Sequence, residues 1–216
     1  MVPGVAHHIV QRGNNRQDVF FVENDFLYYL RILEQQSKRN DFEILGYCLM
    51  TNHIHLIGIP AREDSLRNTV GRTHWIYAQY INRAHGRSGH LWQNRFYSCP
   101  LDERHLPAAM AYIERNPLRA KIVRHPWNYK WSSAGAHSGD KAATRFLNMA
   151  YWNKLLGDLN WKSFLERDED KNKYLQIRLH TSRGRPWGDE RFLAKLETTV
   201  GRRLRPLAVG RPKRPK

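Results

Sequence analysis

The chain has 216 residues, 41% hydrophobic and 26% charged, the balance of an ordinary soluble globular protein, and no apolar run long enough to cross a bilayer. Its 36 Lys+Arg against 20 Asp+Glu give a net charge of +16, which excludes a cationic partner and favours a polyanion, nucleic acid before an anionic membrane. Cys48 and Cys99 make no disulfide framework, and with no signal peptide visible after Met1 the chain reads as cytoplasmic with both thiols reduced and buried.

Residues 6–13 (AHHIVQRG) alternate as a strand does and end at the turn formers Gly13, Asn14 and Asn15. In 23–40, Phe26, Leu27, Leu30 and Leu33 recur at helical spacing, with Asn24 or Asp25 to cap the start. Two apolar runs, 42–50 and 53–59, are separated by Thr51 and Asn52, which predicts a tight hairpin. A second helix runs from the cap candidates Asp64 and Ser65 to about His85, with Val70, Trp75, Ile76, Tyr80 and Ile81 expected inside. Residues 95–101 (RFYSCPL) close the set as a short strand that Pro100 ends or places at an edge. The order β-α-β-β-α-β defines an α+β, ferredoxin-like (split βαβ) fold: a four-stranded antiparallel sheet with two helices on one face and the first and third strands central.

The hairpin carries the chemistry. In 48–60 (CLMTNHIHLIGIP), His53 and His55 lie two residues apart in a strand, so both rings leave the same face of the sheet. Either a metal ion satisfies them, with both imidazoles neutral, or each is hydrogen-bonded in place; spacing alone leaves both open. Because they belong to a central strand, they should face away from the two helices, toward some further element. Residues 103–114 supply one, a helix with Asp102 as cap and Leu106, Ala109, Met110 and Ile113 as its apolar positions, ending near Asn116 and Pro117. On it, Tyr112 and Asn116 lie about one turn apart. A tyrosine there is also an ordinary half-buried packing residue.

Around these positions Arg12, Arg16, Arg95, Arg115 and Arg119 alternate with Trp92, Phe96 and Tyr97, a mixture of phosphate contacts and stacking surfaces suited to single-stranded nucleic acid. Trp127, Tyr129 and Trp131 read instead as core packing. His90, beside Trp92, is the remaining histidine placed to reach a ligand. After Gly139, 146–161 and 162–179 are two helix candidates joined through the acidic turn 168–170. The division predicted is 1–140, 141–180 as a helical extension, and 181–216 as a basic tail. Residues 171–216 hold 14 basic and 3 acidic residues. Within them Arg185 and Arg211 sit in Gly/Pro contexts like those of short minor-groove arms; a disordered tail with salt-dependent affinity for any polyanion is the alternative.

Five segments in order, HIVQRGNNRQDVF from His8, YCLMTNHIHLI from Tyr47, GHLWQNRFYS from Gly89, AYIERNPLRAKIV from Ala111 and YKWSSAGAH from Tyr129, resemble the HUH-type single-tyrosine transposases, and among them the REP-associated tyrosine transposases of bacteria. The resemblance implies a ferredoxin-like HUH nuclease domain in which His53, His55 and Asn116 hold a divalent cation, Mg²⁺ or Mn²⁺, and Tyr112 is the nucleophile. It implies a single-stranded DNA partner bearing a hairpin, a nucleoid-associated location, no membrane, and action as either monomer or homodimer. Asparagine at 116 matches the REP-associated branch, where insertion-sequence relatives often carry glutamine.

The residue types suit such chemistry. Breaking a phosphodiester while conserving its energy for rejoining requires a covalent intermediate, and a tyrosine oxygen can both attack phosphorus and leave again. Its free pKa of about 10 leaves little phenolate at neutral pH, so a cation on the scissile phosphate is needed to offset charge. Two imidazoles and an amide oxygen leave positions open for phosphate and water, with Mg²⁺ or Mn²⁺ suited to the oxygen-rich sphere. Two rivals remain open: a noncatalytic ferredoxin-like nucleic-acid-binding module, which needs neither the tyrosine nor the histidines, and a metal-dependent phosphodiesterase, which has no use for Tyr112.

Overall fold

In a computed structural model, which describes residues 1–141, 146–167 and 170–205, Thr51 and Asn52 fold β2 (Phe42–Met50) back on β3 (His53–Pro60) as an antiparallel hairpin. β1 (Ala6–Arg12) pairs antiparallel with β3 on one side and with β4 (Tyr97–Leu101) on the other, giving the order β2-β3-β1-β4. The fold is therefore ferredoxin-like, with the first and third strands central.

Strand alternation divides the side chains between two cores. Ile9, Leu49, Ile54 and Leu56 leave one face and meet α1 (Glu23–Arg39) and α2 (Ser65–Ala84), which bury Phe26, Tyr29, Leu33, Val70, Tyr77 and Ile81 against them. Ala6, Cys48, Met50, Ile57, Cys99 and Leu101 leave the other face. There the cover is α3 (Leu106–Glu114), whose Ala109, Met110 and Ile113 are buried, followed by α4 (Asn116–Arg119), α5 (Ala134–His137), α6 (Met149–Leu156), α7 (Trp161–Glu166) and α8 (Lys171–Arg183). A last helix, α9 (Glu190–Val200), follows. Both cysteines are free and buried. No described helix is long and apolar enough to cross a membrane.

The helix faces differ from expectation at two large residues. Trp75 is 53% exposed and Leu27 47% exposed; the inward positions are Leu66, Val70, Tyr77 and Ile81 in α2 and Phe26, Tyr29, Ile32 and Leu33 in α1. Tyr29 and Tyr77 take the central places because their hydroxyls find buried partners, the His74 ring and the Val19 carbonyl. Asp25 caps α1 from inside the first turn by accepting from the Phe21 and Val22 amides.

The C-terminal region is more regular than the sequence suggested. α8 runs past the boundary drawn at 180 and ends on Gly184, which supplies the left-handed φ of 60° that closes the helix. Asp170, expected in a solvated turn, caps α8 by accepting from the Asn172 and Lys173 amides. The segment read as a DNA arm around Arg185 is built into the body: Pro186 and Trp187 are buried, and the Trp187 amide donates to the Pro100 carbonyl at 2.8 Å, extending the sheet beside β4. Residues 206–216, with Arg211, lie outside the described residues.

Candidate active site

β1–β3 register decides what faces the second core. Val10 pairs with His55, Arg12 with His53 and His8 with Ile57, so His8, Arg12, His53 and His55 all project to the side covered by α3 and α8. They line a cavity of about 480 Å³ together with Tyr112 and Asn116. The His53 and His55 rings stand 5.1 Å apart and nearly perpendicular, and the Tyr112 ring lies 5.5 Å from His55. The structure thus brings His53, His55, Tyr112 and Asn116 to one pocket. Asn116 is not on the tyrosine's own helix: Arg115 separates α3 from α4, and Asn116 opens α4.

Each ring has its second nitrogen accounted for. His53 Nδ1 lies 2.6 Å from Asn52 Oδ1, and Asn52 Nδ2 in turn donates to the Arg16 carbonyl at 3.2 Å. Because an amide oxygen only accepts, Nδ1 of His53 carries the proton and Nε2 keeps its lone pair. His55 Nδ1 lies 2.9 Å from His8 Nε2, and His8 Nδ1 lies 2.8 Å from Thr181 Oγ1 on α8. A proton on each Nδ1 satisfies that chain and leaves His55 Nε2 as a lone pair too. The Asn116 amide nitrogen donates to the Tyr112 and Ile113 carbonyls, so its oxygen is left as an acceptor that His53 can meet only in its charged form, with a proton on both ring nitrogens.

The histidines are held neutral. Burial lowers His53 to about 4, with Arg12 and Arg119 adding to the effect and the Asn116 hydrogen bond opposing it. Burial, then the neighbouring rings of His53 and His8, hold His55 well below its ordinary value. Burial alone takes His8 to about 3. Neutral imidazoles with one free nitrogen each, beside an amide oxygen, form a donor set that fits a divalent cation. Among the described residues no group of three His, Cys, Asp or Glu side chains is placed to hold a metal ion.

The basic residues divide. Arg12 is exposed and lines the cavity. Arg119 lies 4.8 Å from the Tyr112 ring centre and 5.0 Å from that of Tyr174 on α8, the two rings themselves being 5.3 Å apart, and its guanidinium donates to the Tyr112 carbonyl. Arg16 is exposed on the loop that holds Asn52. Trp92, Arg95 and Phe96 line a neighbouring groove, as does His90. Arg115 is a correction: it is 7% exposed, and its guanidinium donates to the carbonyls of Phe164, Leu165 and Arg167. It fastens α3 to α7 and is withdrawn from the DNA-contact set. Arg185 is half-buried beside Pro186. Tyr129 and Trp131 are packing residues, as expected: the Tyr129 hydroxyl donates to the Leu49 carbonyl and Trp131 stacks on Phe26 at 4.6 Å.

His8, Asn52, Tyr174 and Thr181 were not singled out as site residues by sequence. Asn52 was read only as a turn residue. His8 is visible only once strand register is known, and Thr181 and Tyr174 only once α8 is seen against β1.

Fold and site together define an α+β protein whose central strands present paired neutral histidines to a tyrosine from the covering helix. The chain belongs to the IS200-like transposase family, whose model matches residues 1–116. That makes it a DNA-processing enzyme of a family that is in general metal-dependent. Its structure is similar to that of a REP-associated tyrosine transposase bound to a REP hairpin, at 16% identity over 61% of this chain and 78% of that one, with a TM-score of 0.49. It is also similar to a transposase candidate from Deinococcus radiodurans R1, at 16% identity over 56% of this chain and 88% of that one, TM-score 0.39. No curated protein matches the sequence.

Proposed function

We propose that the protein cleaves and rejoins single-stranded DNA through a covalent link to Tyr112, assisted by Mg²⁺ or Mn²⁺ held by His53, His55 and Asn116. The observation that carries this reading is the convergence, in one cavity, of the Tyr112 ring and the His53/His55 pair, with His55 5.5 Å from the tyrosine. When bound, the cation would neutralise charge on the scissile phosphate. The tyrosine oxygen, giving up its phenol proton, attacks phosphorus in line; the P–O3′ bond breaks, the upstream strand leaves with its 3′-oxygen taking up a proton to become a hydroxyl, and the downstream strand stays joined to Tyr112 through its 5′-phosphate. Attack by a 3′-hydroxyl reverses the step, with the tyrosine oxygen as leaving group. Arg119, against the ring face, offsets negative charge on that oxygen, and Arg12 is positioned for a phosphate beside it. Hairpin-bearing DNA is the substrate that the sequence resemblance favours.

The test uses labelled, hairpin-bearing single-stranded DNA with Mn²⁺ or Mg²⁺, run on denaturing gels. Wild type should give a protein–DNA adduct that both Tyr112→Phe and His55→Ala lose. Cleavage that survives Tyr112→Phe would favour a plain phosphodiesterase, and binding without cleavage in wild type a noncatalytic module.

A further inference from the structure

A second cavity, of about 620 Å³, opens beside the active site, and the two share Gln11, Gln93 and Asn94 in their walls. The Gln11 side-chain amide donates to the Asn94 carbonyl and makes the low divide between them. One side of the groove is a single face of α2: Arg67, Gly71, Trp75, Ala78, Gln79 and Asn82 recur at helical spacing. The other side is the 89–96 segment, with His90, Trp92, Arg95 and Phe96.

Three features distinguish this groove from a stretch of solvated helix. Trp75 is 53% exposed and its ring carries the Arg72 guanidinium at 4.3 Å, an aromatic plane already paired with a cation and half open to solvent. Trp92 is fixed, since its indole nitrogen donates to the His74 carbonyl at 3.1 Å and its ring packs on His74 at 4.6 Å, so a base stacking there meets a pre-ordered surface. Gly71 sits in mid-helix where an added Cβ would meet nothing. A glycine there is less favourable to the helix than alanine, and it leaves helix backbone open to close approach. Among the described lining residues there is no Asp or Glu, while Arg67 and Arg95 are arginines and both exposed.

Cations, exposed aromatic planes and absent carboxylates complement one class of ligand, a single-stranded polyanion with flat bases. We propose that this groove binds the unpaired DNA that flanks the phosphate at Tyr112, the strand passing over Gln93 and Asn94 from one cavity to the other with a base on Trp75. The assignment rests on the strand-cleavage reading of the neighbouring site, and its test is kept separate from the chemistry.

Affinity is measured by fluorescence anisotropy of labelled oligothymidylate in a Tyr112→Phe background, where no covalent step can contribute. Trp75→Ala should weaken binding roughly 5- to 150-fold, the loss expected for one stacked base. Gly71→Glu, which places a carboxylate in the groove without backbone strain, should weaken it as well. Arg72→Gln should reduce the slope of log affinity against log salt by about 0.7, the share of one phosphate on a single strand. Circular dichroism confirms that each variant is folded, as substitutions at exposed helix positions should be. Unchanged affinity in both Trp75→Ala and Gly71→Glu overturns the proposal. So does unchanged affinity accompanied by a change in sedimentation of Trp75→Ala, which would assign the face to a second copy of the chain. If wild type forms no adduct with hairpin DNA but the groove variants still lose affinity, the cleavage reading fails and the groove stands.

Discussion

At the scale of single residues the site depends on which nitrogen of each imidazole bears the proton. His8 packs edge-on against the Tyr112 ring at 5.7 Å, and its Nε2 is the acceptor that holds the proton of His55 on Nδ1. Partners of this kind on metal-ligating histidines are worth about 10- to 100-fold in affinity. His8→Phe keeps the ring and removes the acceptor, so Mn²⁺ affinity, read by electron paramagnetic resonance titration, should drop by about that factor. His8→Gln, which restores an acceptor oxygen, should recover part of it, and Tyr112→Phe should leave it unchanged. A His8→Phe protein that binds Mn²⁺ as wild type does would remove His8 from the positioning role. The His53/His55 pair was legible from strand period, whereas Tyr112 stood out only through the family resemblance, its helical spacing alone being that of a packing residue. His8 was not legible, because the bond to His55 spans 47 residues and that to Thr181 spans 173, and neither separation has a periodicity to betray it.

Among the elements, α3 must be held against the sheet at a fixed height if Tyr112 is to meet His55. Gly46 on β2 admits the Met110 sulfur, where any Cβ would collide. Behind the helix, Glu114 is fully buried and accepts from Ser133 Oγ, His137 Nδ1 and Trp161 Nε1. That carboxylate ties α3 at once to α5, α7 and the strand-like segment 131–133. Glu114→Ala would strand three buried donors, and the expected loss is about 3–5 kcal/mol in urea unfolding. A loss under about 0.5 kcal/mol, the usual range for a surface change, would show that the clamp is dispensable. Glu114→Gln, which keeps the shape and one acceptor, should fall between the two. The four strands and first two helices were readable from alternation and helical spacing. The clamp was not, for a glutamate in ERNPLR reads as a surface charge until α7 is seen delivering a tryptophan to it. Trp75 was misplaced for a related reason: helical spacing locates an apolar stripe, but buried polar partners for Tyr29 and Tyr77 decided which aromatics occupied the core.

For the whole molecule, buried histidine is the dominant liability. His7 and His53 are lowered to about 4 and His8 and His74 to about 3, all chiefly by burial, against an ordinary value of 6.5; His55 is also held well below it. The unfolded chain therefore takes up protons near pH 6.5 that the native state refuses. Stability contributed by these groups is fully present above about pH 7 and is lost as pH falls through 6.5, the loss continuing until the folded values near 3 to 4 are reached. Each such group costs roughly 1 kcal/mol per pH unit in that window. The five act in the same direction, so their losses add as pH falls below 6.5. Urea midpoints should thus fall steeply between about pH 7 and 5. His74→Phe removes one group that does not line the His53/His55 cavity, at the cost of its hydrogen bond with the Tyr29 hydroxyl. It should lower the midpoint at neutral pH and flatten the pH dependence by about one proton. A bound divalent cation, which requires neutral His53 and His55, should shift the acid transition to lower pH without changing the contribution of His74. Flat midpoints across that range would mean the buried rings are charged in the native state, and the lone-pair argument for the His53/His55 pair would fall with them.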